Sequence, residues 1–264
     1  MIQATLRPVP APSLTPAPDA VRFSVGSLLC VCRPDLEQGL RALYDTGRWV
    51  YDALRGHPGA AFLQGRRPVV VADISGVLVV VKRLHHGGAL APVTGDRFMT
   101  PSRLRTHRRV AGWLRARGVP TPEVLFTSWR RDGAFVRGEI GTGHVAGARD
   151  ASDILFGDPG RLPDGWETVV DAVASMTATL HVLGVVHHDL NLKNFLVTGP
   201  RDVLILDVDK VTCTGSELRE PVRRRNLGRL ERSVRKQGRG APSEQVERVV
   251  ARLHAGYGRA RASL

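Results

Sequence analysis

The chain has 264 residues, 42% of them hydrophobic, which is enough for one large domain or two lobes with real cores and excludes disorder throughout. Lys and Arg total 38 against 25 Asp and Glu, a formal net charge of +13 that points to anionic partners: phosphorylated glycans, anionic lipid or nucleic acid. Three cysteines (Cys30, Cys32, Cys213) supply no disulfide framework and fit a reducing compartment. No apolar run approaches the roughly 20 residues of a membrane span, and the N-terminus lacks the pattern of a secretory signal.

In chain order, the proline-rich residues 1–20 are expected to form an extended leader. Val21 to Arg33 alternates enough for one or two strands, and Leu36, Leu40, Leu43 and Tyr44 then recur at helical spacing. After a Gly/Pro break at Gly56 to Gly59, β-branched runs from Pro68 to Ala72 and from Val77 to Val81 flank Asp73-Ile74-Ser75-Gly76 as a hairpin. Gly65 with Arg66 and Arg67 precedes the hairpin, and Lys82 ends its second strand. His85 to Gly88 and Pro92 to Thr100 read as loop.

Leu104, Val110, Trp113 and Leu114 predict an amphipathic helix with a dense Arg face, stopped by Gly118, Pro120 and Pro122. Strands follow over Val124 to Trp129 and Ala134 to Arg137, then a polar, flexible connection at Glu139-Ile140-Gly141. The second half is helix-rich. A helix from Trp166 to Leu183 stops at Gly184, a second hairpin spans Phe195 to Leu206, and a basic helical segment runs from Glu217 to the end. The expected organisation is a leader (1–20), a β-rich N-terminal lobe with one Arg-rich helix (21–138) and a helical C-terminal lobe (139–264), with a cleft between the lobes.

Two segments carry chemistry. His187-His188-Asp189-Leu190-Asn191-Leu192-Lys193-Asn194 is a polar turn between apolar segments, and the apolar run from Val203 ends in Asp207 and Asp209. Phosphoryl transfer from a Mg-nucleotide requires an oriented hydroxyl, Mg²⁺ bridging the phosphates and cations on the nucleotide. Asp189 can accept the proton of an attacking hydroxyl, an effect worth roughly 10²- to 10⁴-fold. Asn194 offers a neutral oxygen and Asp207 a charged one to a hard cation. Lys82 can reach nucleotide phosphates, and His187 suits a bracing role. Singly, each has an ordinary structural explanation as cap, strand end or solvated lysine; their ordered conjunction is more specific.

The stretch HHDLNLKN resembles the H-R-D-x-x-x-x-N catalytic loop of protein kinases, and LILDVDK resembles the strand carrying their metal-binding D-F-G Asp. The Asp-x-Asp-Lys variant, the Asn two residues after the Asp, the VVVKRLHHGG segment, Arg117-Gly-Val-Pro-Thr-Pro122 and the basic run from Arg223 to Leu230 are similar to the lipopolysaccharide kinases of Gram-negative bacteria. Those enzymes phosphorylate 3-deoxy-D-manno-octulosonic acid (Kdo) or core heptose. The resemblance covers about residues 60 to 240.

It implies an α+β, two-lobed protein-kinase-like fold and an ATP- and Mg²⁺-dependent transfer to a sugar hydroxyl of the lipopolysaccharide inner core. It further implies Asp189 as base, Lys82 on the phosphates, Asn194 and Asp207 on Mg²⁺, Gly65 in the phosphate-covering loop, and Glu139 and Ile140 near the adenine. Two departures stand out: the glycine-rich loop keeps one glycine, and the helix Glu that pairs with the strand Lys is absent at or near His107.

The cations Arg219, Arg223, Arg224, Arg225, Arg229, Arg232, Arg235 and Lys236 suit an anionic glycolipid acceptor and peripheral contact with an anionic membrane surface. Aromatics are only 5% and no recognition motif occurs, which argues against nucleic acid. The expected location is the cytoplasm, at the inner face of the inner membrane. The alternatives are another small kinase-like phosphotransferase, for a small molecule or as an atypical Ser/Thr kinase, and a pseudokinase-type regulatory module.

Overall fold

Valine-rich, β-branched runs set the first half of the architecture. The computed structural model describes residues 20–57, 59–63, 69–85, 95–158 and 161–264. Its largest element is a seven-stranded, wholly antiparallel sheet in the order β1 (Val21–Val25), β2 (Leu28–Cys32), β6 (Val124–Asp132), β7 (Phe135–Gly143), β5 (Val77–Arg83), β4 (Val69–Ile74), β3 (Ala61–Leu63). The β4–β5 hairpin closes through Ser75 and Gly76, both at positive φ (55° and 81°). That double left-handed turn matches the twist of the flanking strands, and Asp73 Oδ1 accepts the Gly76 N–H at 2.8 Å.

Strand alternation gives the sheet two different faces. Val79, Val81 and Arg83 share one face with their cross-strand partners Gly143, Gly141 and Glu139. Helices α1 (Glu37–Asp45) and α2 (Val50–Arg55) cover that face, burying Leu40, Tyr44, Val50 and Leu54 in a core with Cys30, Cys32 and Phe126. The other face carries Gly138, Ile140 and Lys82, and Leu104 of α3 (Ser102–Arg115) lies against Gly138.

Residues 20–112 with 122–144 form one compact unit, and residues 113–121 with 145–264 form another. The second unit holds α4 (Ala151–Phe156), α5 (Trp166–Val182), α6 (Glu220–Gln237) and α7 (Ser243–Ser263). It also holds two small sheets, one of β8 (Arg149–Asp150), β10 (Phe195–Val197) and β11 (Val203–Ile205), the other of β9 (Val185–His187) and β12 (Val211–Cys213). Helix α5 is buried over Val169, Val173, Met176 and Leu180, and Arg252 of α7 binds its Asp171. Gly184 ends this segment at φ 72°, where a Cβ would meet Ser216 O at 2.1 Å; only glycine fits there.

Three expectations are corrected. Glu139, Ile140 and Gly141 are not a flexible connection: β7 pairs with β5 and β6 through this stretch and runs on to Gly143. The basic C-terminal segment is two helices, broken by a 3₁₀ turn at Gly238–Gly240 and by Pro242. The strands expected over Val124 to Trp129 and Ala134 to Arg137 extend further, meeting at a tight turn after Asp132. The expected leader, apart from Ala20, lies outside the described residues, as do Gly65, Arg66 and Arg67.

Candidate active site

The polar turn after β9 is held by buried neighbours. His187 is buried, and burial lowers its pKa, outweighing the Leu206 carbonyl and the nearby Asp207, Asp189 and Asp209 charges that favour the cation. As a neutral ring it donates from Nε2 to Leu206 O at 3.0 Å and accepts the Asp189 N–H at Nδ1 at 3.2 Å. One imidazole thus ties Asp189 to the strand end that precedes Asp207. The expected bracing role of His187 is the geometry observed.

A second tie runs through α6. Asn226 donates from Nδ2 to His187 O at 2.7 Å, and its Oδ1 accepts the His187 N–H at 3.4 Å. The same Oδ1 accepts from His181 Nε2 at 3.0 Å, while His181 Nδ1 accepts from the Tyr257 hydroxyl at 2.8 Å. Burial takes the His181 pKa down to about 4, so the ring is neutral in this chain of bonds. Leu192 N–H adds a bond to Ser233 Oγ at 3.1 Å. Both ends of the turn are therefore anchored to α6 by side chains with no exposed alternative.

Asp189 emerges from this frame with 44% of its side chain exposed. Lys210 Nζ donates to its Oδ2 at 2.8 Å, and Asn191 Nδ2 reaches Oδ1 at 3.2 Å. Burial alone would raise the carboxyl; the Lys210 hydrogen bond and charge, with the Asn191 amide, outweigh it and hold the pKa below the usual Asp value. Asp189 is an ionised acceptor at neutral pH, which is the state a proton-accepting group must have.

Asn194 is buried, and its Nδ2 donates to Asp189 O at 2.7 Å. With the amide nitrogen committed, Oδ1 is the atom left to face a cation. Its own carbonyl accepts the Leu206 N–H at 2.8 Å, which brings the loop beside the segment carrying Asp207. Asp207 sits at φ 54°, ψ 40°, a left-handed conformation that Asp tolerates better than most residues and that concentrates at functional sites. A 3₁₀ turn, Val208–Lys210, follows at once and delivers Lys210 to Asp189.

Asp189, Asn194 and Asp207 are thus brought together within one unit. Lys82, Glu139 and Ile140 belong to the other. Lys82 lies in β5 opposite Ile140, half-buried on the α3 face, and His107 is a buried residue of α3. Glu139 is 0% exposed, on the opposite face. Its Oε1 accepts from Val50 N–H and the Tyr44 hydroxyl, each at 2.9 Å, and its Oε2 from Tyr51 N–H at 3.0 Å. Burial raises its pKa, partly offset by these donors. This carboxylate caps the N-terminus of α2, and Ile140, likewise 0% exposed, is packed side chain.

Sequence reasoning missed Lys210, Asn191, Asn226 and His181. Lys210 stood within the Asp-x-Asp-Lys motif without a role. Asn226 shared helical spacing with the buried Leu230 and Ser233, which marked it as an inward-facing polar group. The basic segment is also less free than its composition suggests. Arg223 binds Glu217 and Glu220, both at 2.7 Å, and Arg235 binds Glu231 and Glu247. Arg225, Arg229, Arg232 and Lys236 remain exposed along one side of α6, and Arg229 Nη1 donates to His188 O at 3.2 Å.

The model of the lipopolysaccharide kinase (Kdo/WaaP) family matches residues 52–257. The chain is 29% identical over 185 residues to a 3-deoxy-D-manno-octulosonic acid kinase of Xanthomonas euvesicatoria pv. vesicatoria (strain 85-10), covering 67% of this chain and 70% of that one. It is 27% identical over 210 residues to the enzyme of the same name from Xylella fastidiosa (strain M12), covering 77% and 79%. Among solved structures it is similar to WaaP in complex with acyl carrier protein, at 20% identity and a TM-score of 0.43, over 86% of this chain and 96% of that one.

Proposed function

Since the chain belongs to the lipopolysaccharide kinase (Kdo/WaaP) family and is therefore a phosphotransferase acting on a sugar hydroxyl, we propose that its acceptor is an inner-core sugar, Kdo or heptose, on a lipid A anchor. Kinase membership implies ATP as donor. The observation that carries the proposal is the ionised Asp189 carboxylate, half-exposed on a loop whose backbone is bonded to buried His187, Asn194 and Asn226.

In the proposed reaction the acceptor hydroxyl hydrogen-bonds to Asp189. Its oxygen forms the bond to the γ-phosphorus, the bond from γ-phosphorus to the bridging oxygen breaks, and ADP leaves with that electron pair. Asp189 takes the proton. Because such transfers are largely dissociative, positioning the hydroxyl matters more than the strength of the base, so a lowered Asp189 pKa is compatible with the role. Asn194 Oδ1 and the Asp207 carboxylate fit a hard, oxygen-seeking Mg²⁺, which when bound would neutralise charge on the β- and γ-phosphates. Lys82 is the proposed phosphate-binding cation; Gly65 keeps its proposed place in the phosphate-covering loop.

Among the described residues no helix is long and apolar enough to cross a membrane. We place the reaction on the cytoplasmic face of the inner membrane, with the exposed cations of α6 toward the anionic glycolipid. The test is incubation of the protein with γ-labelled ATP, Mg²⁺ and Kdo-lipid A. Label is expected on the sugar, dependent on Mg²⁺; label on a soluble amino alcohol or peptide in preference to the glycolipid would overturn the acceptor assignment.

A further inference from the structure

We infer that Lys210 and Arg229 form an oxyanion site on the acceptor side of Asp189, and that it binds the carboxylate of a sugar acid beside the hydroxyl being phosphorylated. The inference rests on the proposed glycolipid acceptor and narrows it to an acidic sugar.

Lys210 Nζ is 2.8 Å from Asp189 Oδ2, and its side chain is 39% exposed, so a ligand that reaches Asp189 reaches Lys210 as well. A hydroxyl bonded to Oδ2 at normal distance lies within about 6 Å of that ammonium. On the neighbouring residue, His188 O accepts one Arg229 N–H at 3.2 Å. A guanidinium has five N–H donors, so most of Arg229 stays available, and it is exposed with no acidic partner among the described residues. Lys210 therefore lies directly on the Asp189 carboxylate, and Arg229 is fixed to the backbone of the residue before it.

The pairing also suggests how an acidic acceptor gains over a neutral one. Without an acceptor, Lys210 occupies Asp189 Oδ2. A carboxylate arriving between Lys210 and Arg229 draws the ammonium to itself through charge-assisted bonds and leaves Oδ2 to take the hydroxyl proton. A neutral sugar leaves the Lys210–Asp189 pair intact and must compete with it for the same oxygen.

The experiment measures steady-state transfer from MgATP by the full chain to Kdo-lipid A and to its carboxyl methyl ester. The wild-type KM for the ester should exceed that for the acid by about 10- to 100-fold, the range of one charge-assisted hydrogen bond. Lys210→Met should raise the KM for the acid by a similar factor, leave the KM for ATP within about twofold and abolish the preference for acid over ester. Lys210→Arg should restore most of that preference. Equal KM values for acid and ester in the wild type would overturn the inference, as would a Lys210→Met effect on the KM for ATP instead. Absence of transfer to either acceptor by the wild type would overturn the underlying acceptor assignment instead.

Discussion

The two compact units bury polar groups to opposite ends. In the unit of the large sheet, Glu139 is enclosed completely: every bond it makes goes to the chain itself, to the Val50 and Tyr51 amides and the Tyr44 hydroxyl. In the other unit the buried groups are neutral, His181, His187, Asn194 and Asn226, and their bonds converge on a carboxylate left half-exposed. The difference separates a charge used as a structural pin from one used for chemistry. A carboxylate that is 0% exposed and bonded to protein donors at both oxygens offers no surface to a substrate. A carboxylate whose backbone is pinned by neutral partners keeps both its geometry and its access.

That contrast is sharpened most by Glu139→Ala. It removes the acceptor of the Val50 and Tyr51 N–H groups and one of the two partners of the Tyr44 hydroxyl, so the protein should lose about 2–4 kcal/mol of stability by chemical denaturation, with the KM values of the remaining folded fraction little changed. A loss under about 1 kcal/mol would mean that the pin holds nothing. Asp207→Asn tests the other unit. It keeps the shape and the left-handed backbone, so the melting temperature should hold, while transfer from MgATP should fall at least about 100-fold, equivalent to about 2.7 kcal/mol. Retained transfer would remove Asp207 from the site.

A smaller effect comes from the neutral histidines. The His181 pKa is lowered from 6.5 to about 4 in the folded chain. The unfolded chain therefore binds a proton below about pH 6.5 that the folded one refuses, and the stability this group contributes, fully present above pH 6.5, drains away as pH falls toward 4. Between pH 7.5 and pH 5 the loss from His181 alone should be about 2 kcal/mol, and His187, shifted in the same direction, adds to it. Denaturation midpoints of the wild type and His181→Gln at the two pH values check this: the variant should lose less on acidification. An identical acid loss in both would place the sensitivity elsewhere.

The strands, the long helices and the Asp189–Asn194–Asp207 set were legible because each rests on local pattern: alternation, helical spacing, or a fixed motif. What was not legible depends on tertiary partners. Val50–Arg55 is too short to show periodicity and is fixed from outside by Glu139, so neither the helix nor the role of its cap could be read locally. Polar residues at Glu139 and Thr142 and glycines at 138, 141 and 143 mimic a connection, yet Gly138 and Gly141 stand where Leu104 and Phe126 press on the strand. Lys210 and Asn226 are separated from Asp189 by 21 and from His187 by 39 residues, and only folding makes them neighbours. The segment before residue 52, outside the family match, supplies β1, β2 and α1, and its packing on the sheet follows from Leu36, Leu40 and Tyr44 at the spacing the sequence shows.

The central claim is that the exposed Asp189 carboxylate performs the transfer while the buried groups only hold it. Asp189→Asn tests this in one preparation, with acceptor phosphorylation and thermal melting measured side by side. Transfer to Kdo-lipid A should fall by roughly 10²- to 10⁴-fold with the melting temperature within a few degrees of the wild type. Undiminished transfer by the folded variant would contradict the account outright.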